Sequence, residues 1–140
     1  MKYFLDSNTC IYYLKGSSEA LRKNLQSVRP SDIYIPAVVK AELLYGVQKS
    51  NNVKGNINKL GMFLLPFEIV PFSDAASVAY AHIRAELEKV STPIGSNDLM
   101  IASTTIAESG ILVTHNTKEF ERIPELEIVD WTKPSPSVLK

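Results

Sequence analysis

Only one cysteine, Cys10, is present in the 140 residues, so no internal disulfide can close and no paired-cysteine zinc site can be built. Charge of one sign is also missing. Fifteen Lys and Arg offset fifteen Asp and Glu, so no global field draws the chain to polyanions, and any nucleic-acid binding must rest on local clusters or bound cations. No apolar run approaches the roughly 20 residues that span a bilayer, and Met1-Lys2-Tyr3-Phe4-Leu5-Asp6 meets an acid too soon for a signal-peptide core. Neither membrane insertion nor export is expected, and a reducing cytoplasm is. Glycine cradles of the GxGxxG or GxxxxGKS/T kind are absent, which argues against dinucleotide or triphosphate binding through such a loop. The two histidines, His82 and His115, have no spacing that pairs them with Cys10 or a serine as base and nucleophile, and read as structural or peripheral.

What is present suits one globular domain, with 45% hydrophobic and 21% charged residues. Tyr3 to Leu5 reads as a short strand and Asn8 to Lys15 as a helix ended by Gly16. Ser17 or Ser18 can cap a second helix that buries Ala20, Leu21, Leu25 and Val28 before Pro30 stops it. Asp32 to Ile35 is the second strand, Pro36 suits a helix start, and Val38, Val39, Leu43, Leu44 and Val47 follow at helical spacing to about Ser50. Asn51-Asn52 separates a less regular helix running through Leu65. Glu68 to Phe72 is a third strand, and Ser73 caps a long helix carrying Ala76, Val78, Ala79, Ile83, Ala85 and Leu87. After the break Thr92-Pro93-Ile94-Gly95, Ser96 or Asn97 caps a helix from Asp98 to about Glu108, closed by Gly110. Ile111 to Thr114 and Leu126 to Val129 complete the strands. Strands alternating with helices predict an α/β domain over residues 1–132, with a parallel sheet covered by helices on both faces. The Pro/Ser-rich residues 133–140 form an expected flexible tail.

Three acids stand out against this frame. Asp6 leaves the C-terminal end of the first strand, and Glu42 lies less than two turns into the helix that starts where the second strand ends. Asp98 sits in the first turn of a helix that must run antiparallel to the strand Ile111 to Thr114, so it reaches the same edge, from which His115-Asn116 also emerges. Ligands of open α/β sheets bind at this edge. Carboxylates gathered there repel one another unless a cation compensates, and Mg²⁺ accepts carboxylates while keeping waters, one of which can attack a phosphodiester. Each acid also has an ordinary reading: Asp6 as a helix cap, Asp98 as a partner of the helix dipole, Glu42 as a solvated face residue. Lys15, Arg22, Lys40, Arg84 and Lys118 are the candidates for meeting RNA phosphates, though most charges of this sort are only a solvated surface, and none is assigned a specific role.

Four segments in order, Phe4-Leu5-Asp6-Ser7-Asn8, Ala41 to Gly46, Pro93 to Ala102 and Leu112 to Arg122, resemble the PIN-domain ribonucleases, specifically VapC-type toxins of type II toxin-antitoxin pairs. The resemblance covers nearly the whole chain. It implies a metal-dependent endoribonuclease with Asp6, Glu42 and Asp98 as the acidic site and Mg²⁺ or Mn²⁺ as cofactor. The His115-Asn116-Thr117-Lys118-Glu119-Phe120 ending is similar to the branch that cuts initiator tRNA, which makes tRNA the expected substrate. Many members carry a fourth acid where this chain has Asn116; Glu119, three residues on, is the candidate substitute. A homodimer and a small VapB-type antitoxin with its C-terminal segment in the acidic groove are further implications of the resemblance.

Two other readings compete. An aspartate-based phosphatase would use Asp6 as nucleophile, but Asn8 stands where such enzymes resemble Asp-x-Asp and carry their proton donor. A catalytically inactive module whose acidic groove docks a basic peptide is favoured by net neutrality and by the missing fourth acid.

Overall fold

The computed structural model describes residues 1–134. Among them lie five strands, β1 (Tyr3–Leu5), β2 (Ile33–Pro36), β3 (Glu68–Val70), β4 (Ile111–Val113) and β5 (Glu127–Val129). The helices are α1 (Ser7–Lys15), α2 (Glu19–Gln26), α3 (Ala37–Gln48), α4 (Val53–Leu64), α5 (Asp74–Lys89), α6 (Ser96–Ala107) and α7 (Thr117–Phe120). The expected tail falls outside the described residues from 135 onward.

All strand pairs are parallel and the sheet order is β3-β2-β1-β4-β5, as the alternation of strands and helices predicts. The chain starts in the middle, steps outward through β2 to β3, then crosses back to β4 and β5. Right-handed crossovers therefore put α1 to α4 on one face of the sheet and α5 to α7 on the other, giving three layers. The direction reverses between β1 and β4, and at such a point the loops leaving adjacent strands diverge and open a crevice.

The strands are short apolar runs because the middle of the sheet is covered on both faces. Phe4, Leu5, Ile33, Ile35, Leu112 and Val113 are buried, with Val39, Leu21, Ile101 and Phe120 reaching them from the helices. Cys10 is buried among them, as a small hydrophobe.

Local chemistry sets most boundaries. Asp6 caps α1, Ser18 caps α2, Asn52 caps α4 and Ser73 caps α5, each side-chain oxygen accepting from the backbone N–H three residues on. Gly16 ends α1 at φ 66°. Some boundaries differ from expectation. α6 starts at Ser96 after Gly95, which offers no side-chain cap, so Asp98 is inside the first turn with the helix beginning two residues earlier. At its other end the left-handed residue is Ser109 at φ 55°, not Gly110. Gly110 is needed for another reason: a Cβ there would lie 2.5 Å from the Phe4 ring. β3 stops at Val70, since Pro71 has no N–H to continue the ladder. On α5, Val78 and Ala85 face solvent although both are apolar.

Candidate active site

Asp6 is 5% exposed and held on both oxygens. Oδ1 accepts from the Thr9 backbone N–H at 2.9 Å, and Oδ2 accepts from the Thr114 hydroxyl at 2.6 Å. Thr114 in turn accepts from the Asn116 backbone N–H at 3.0 Å, so the end of β4 is stitched to the end of β1 at the switch point. Thr9 tightens the same corner by donating its hydroxyl to the Val113 carbonyl at 3.1 Å. Burial pushes the Asp6 carboxyl above its ordinary range, opposed by the hydrogen bonds from Thr114 and Thr9.

Glu42 arrives from the neighbouring α3 and is half-buried. Its Oε1 accepts from the Ser7 hydroxyl at 2.5 Å and its Oε2 from the Asn97 amide at 3.2 Å, which fastens α3 to α1 and to α6. Asp98, also half-buried, comes from the first turn of α6 on the opposite face of the sheet. Its carboxyl faces that of Glu119 on α7, near enough for the two to influence each other's ionisation. Burial, then the neighbouring carboxyl of Glu119, then the charges of Asp6 and Glu42 push Asp98 up to about 7.

Glu119 completes the group. Its Oε2 accepts from the Asn116 side-chain amide at 3.1 Å, while its Oε1 is buried with no donor among the described residues. An orphaned buried carboxylate oxygen is costly, and a proton shared with Asp98 or a cation would satisfy it. Among the described residues, none of Asp6, Glu42, Asp98 or Glu119 pairs with Lys, Arg or His. Also among the described residues, no three of His, Cys, Asp and Glu stand at the spacing of a ready-formed metal cluster. The four acids share one field without touching as a cage. That arrangement fits a hard cation that keeps several waters between itself and the carboxylates, as Mg²⁺ does.

The structure thus brings Asp6, Glu42, Asp98, Asn116 and Glu119 to one edge. The ordinary roles of Asp6 and Asp98 hold as well, since Asp6 does cap α1 and Asp98 does lie in a first turn. Ser7, Asn97 and Thr114 are orienting residues that reading the acids alone misses. Ser7 and Asn97 each adjoin one of the acids in the chain, and Thr114 ends a strand at that edge, which is the one signal that could have found them.

The basic residues scatter. Arg22 pairs with Glu19 and Arg84 with Glu88, each on its own helix, while His82 faces Glu125 at 3.9 Å. Lys15 and Glu42 both line an open groove between α1, α3 and α4, together with Leu43, Val47 and Leu60.

Residues 3–126 match the family model described as the PIN domain. The chain is 43% identical over 134 residues to ribonuclease VapC2 of Rickettsia felis, spanning 95% of this chain and 100% of that protein. It is 35% identical over 131 residues to the tRNA(fMet)-specific endonuclease VapC of Salmonella typhimurium, spanning 94% and 98%. Among solved structures, a chain of the Rickettsia felis VapBC2 complex bound to a DNA fragment from its promoter superposes with a TM-score of 0.88 at 42% identity, over 94% of this chain and 99% of that one.

Proposed function

Because the chain belongs to the PIN-domain family, among the VapC ribonucleases, we propose that it is a metal-dependent endoribonuclease, the toxin of a toxin-antitoxin pair, and that its substrate is tRNA. The observation that carries this reading is the convergence of four carboxyls from four distant segments at the sheet's switch point, without a basic partner among the described residues. Asp6, Glu42 and Asp98 would hold the cation directly or through water, with Glu119 and Asn116 supporting. Mg²⁺ or Mn²⁺ bound there would make water more acidic and stabilise charge building on the phosphate.

The chain's own residues do the rest. Thr114 and Thr9 lock Asp6 in one rotamer, so its oxygens present the same lone pairs whatever the substrate does. Ser7 and Asn97 fix Glu42 across three helices. Asn116 steadies Glu119, and Asp98, pushed up to about 7 by burial and by the carboxyl of Glu119 beside it, is the group placed to hold or release a proton near neutral pH. Neither Asp6 nor Cys10 is placed as a nucleophile: Asp6 accepts hydrogen bonds on both oxygens, and burial holds the Cys10 thiol protonated. Hydrolysis by water, without a covalent enzyme intermediate, follows.

A VapB-type antitoxin is the partner that goes with this reading, its C-terminal segment covering the acids by way of the groove beside Glu42. We extend the reading to a homodimer and to the cytoplasm, where tRNA is met; among the described residues no helix is long and apolar enough to cross a membrane. Purified protein incubated with a tRNA pool and Mg²⁺ tests the reading. Site-limited cleavage abolished by excess EDTA and by folded Asp98→Asn is the expected result. Cleavage that survives EDTA would remove the metal from the account, and no cleavage of any RNA by the metal-loaded protein would remove the nuclease.

A further inference from the structure

An open recess of about 430 Å³ lies between α1 and the β4–α7 connection, with Asn116 in its lining. Asn8, Tyr12, His115, Asn116, Thr117 and Lys118 line it. Asn8 and Tyr12 are four residues apart on one helix and so share a face. His115 is held with more care than an exposed histidine requires. Its Nδ1 lies 3.0 Å from Asp130 Oδ2 and 3.1 Å from the Thr132 hydroxyl, and Thr132 donates both that hydroxyl and its backbone N–H to Asp130 Oδ1 at 2.6 and 2.9 Å. The Asp130 side chain is 8% exposed, whereas that of His115 is 56% exposed. A buried carboxylate thus fixes the orientation of a solvent-facing ring. With Nδ1 engaged, Nε2 has no partner among the described residues, and the ring meets Tyr12 edge-on at 6.3 Å and 67°. Lys118 has no acidic partner within 4 Å among the described residues.

Two oriented rings, two side-chain amides and an unpaired cation are the groups by which proteins hold an unstacked base and its phosphate. The volume falls within the range of small-ligand sites. A chain with no net charge cannot gather RNA by its overall field, so substrate grip must come from such a local device. Asn116 joins this recess to the acids: its amide holds Glu119, and its backbone N–H holds the Thr114 hydroxyl that holds Asp6.

We propose that this recess is a subsite for one nucleotide flanking the scissile phosphate, with the base against Tyr12 and His115 and its phosphate at Lys118. The proposal rests on the ribonuclease reading above and adds where the strand is gripped.

Fluorescence anisotropy of labelled tRNA in EDTA, alongside Mg²⁺-supported steady-state cleavage, tests it. His115→Ala and Tyr12→Leu should each weaken RNA binding and raise KM roughly tenfold with kcat within about twofold, the size expected for losing a base-stacking ring. His115→Phe, which keeps a ring but not the Asp130 contact, should recover most of the loss. Lys118→Ala should lower the slope of log K against log salt by about one. If His115 serves only to tie β4 to β5, His115→Ala will lower Tm yet leave KM and anisotropy at wild-type values, and the subsite is overturned. A fall in kcat at unchanged KM overturns it too. RNA cut by wild type with KM unmoved in all variants sinks the subsite alone; no RNA bound or cut by wild type sinks the ribonuclease reading with it.

Discussion

Asp6 and Asp98 are the same chemical group at the same sheet edge, yet their surroundings oppose each other. Asp6 is buried and has a donor for each oxygen, from Thr9 and Thr114. Asp98 is half-exposed and faces a second carboxyl, Glu119, whose Oε1 has no donor among the described residues. The first corner is complete as it stands; the second is incomplete until a proton or a cation enters it. The proposed site for a water-rich divalent ion would gain from this division, because one fixed carboxylate would set the position while the unsettled pair would supply the driving force for capture.

The contrast can be broken from either side. Asp98→Asn should lower cleavage by roughly 10²- to 10³-fold, the scale for losing one electrostatic contact to the reacting centre. The same change should leave metal-free stability equal or improved, whereas Asp6→Ala should both abolish cleavage and lower stability through the lost cap and the orphaned Thr114 hydroxyl. Melting curves in EDTA beside cleavage rates decide it; a large loss of Tm in Asp98→Asn would mean the two corners are alike after all. Next in size, Thr114→Val keeps the shape of the side chain and removes only the hydroxyl. It should cost about 1–3 kcal/mol, because the Asp6 carboxyl is then left one donor short in a buried place. On a chain of this length that is a fall in Tm of roughly 4–10 °C, measurable by calorimetry.

Acidity separates the corners further. Unfolded Asp98 releases its proton near the ordinary value of 3.8, but folded it holds the proton up to about 7. Between roughly pH 4 and pH 7 the native state therefore binds more protons than the unfolded state, and this group's contribution to stability falls as pH rises, then levels off above 7. Asp98→Asn lacks that slope, so in EDTA its advantage over wild type should grow across the window and reach a few degrees, modest because the site is half in water. Mn²⁺ should reverse the order. Its stabilisation of wild type should be larger at pH 8 than at pH 6, where protons compete for the same oxygens. Equal stabilisation at both pH values would detach the cation from the Asp98–Glu119 pair.

How much of this was legible beforehand follows the same divide. Asp6, Glu42 and Asp98 could be placed at one edge because strand direction and helix direction are fixed by topology, and the apolar runs and cap residues of this chain declare that topology openly. The Gly16 terminator and the Ser73 cap are local effects and were readable for the same reason. The start of α6 was not, because Gly95 carries no side chain to announce a cap. Gly110 was readable as important but for the wrong cause, since the constraint is the Phe4 ring from a strand more than a hundred residues earlier. Thr114 to Asp6, Ser7 to Glu42 and Asp130 to His115 are hydrogen bonds between distant segments, and a hydroxyl or carboxylate in such a bond leaves no periodic trace in the chain.

The smallest expected effect probes Asn116, the position where the resemblance to PIN-domain ribonucleases implies a fourth acid in many members. Asn116 donates its amide to Glu119 Oε2, so it relieves the unsettled corner without adding charge to it. Asn116→Asp turns that donor into an acceptor and adds one negative charge at an exposed place. In EDTA the variant should lose less than about 1 kcal/mol, as surface charge changes usually do. Mn²⁺ affinity by calorimetric titration should rise several-fold, because hard-cation sites are tuned by how many charged ligands they offer. Glu119→Gln makes the complementary change, removing charge from the pair while keeping its shape, and should weaken Mn²⁺ binding by a similar factor. If Asn116→Asp leaves affinity unmoved while Glu119→Gln lowers it, the cation is held on the Glu119 side alone, and the amide of Asn116 serves only to orient that carboxylate.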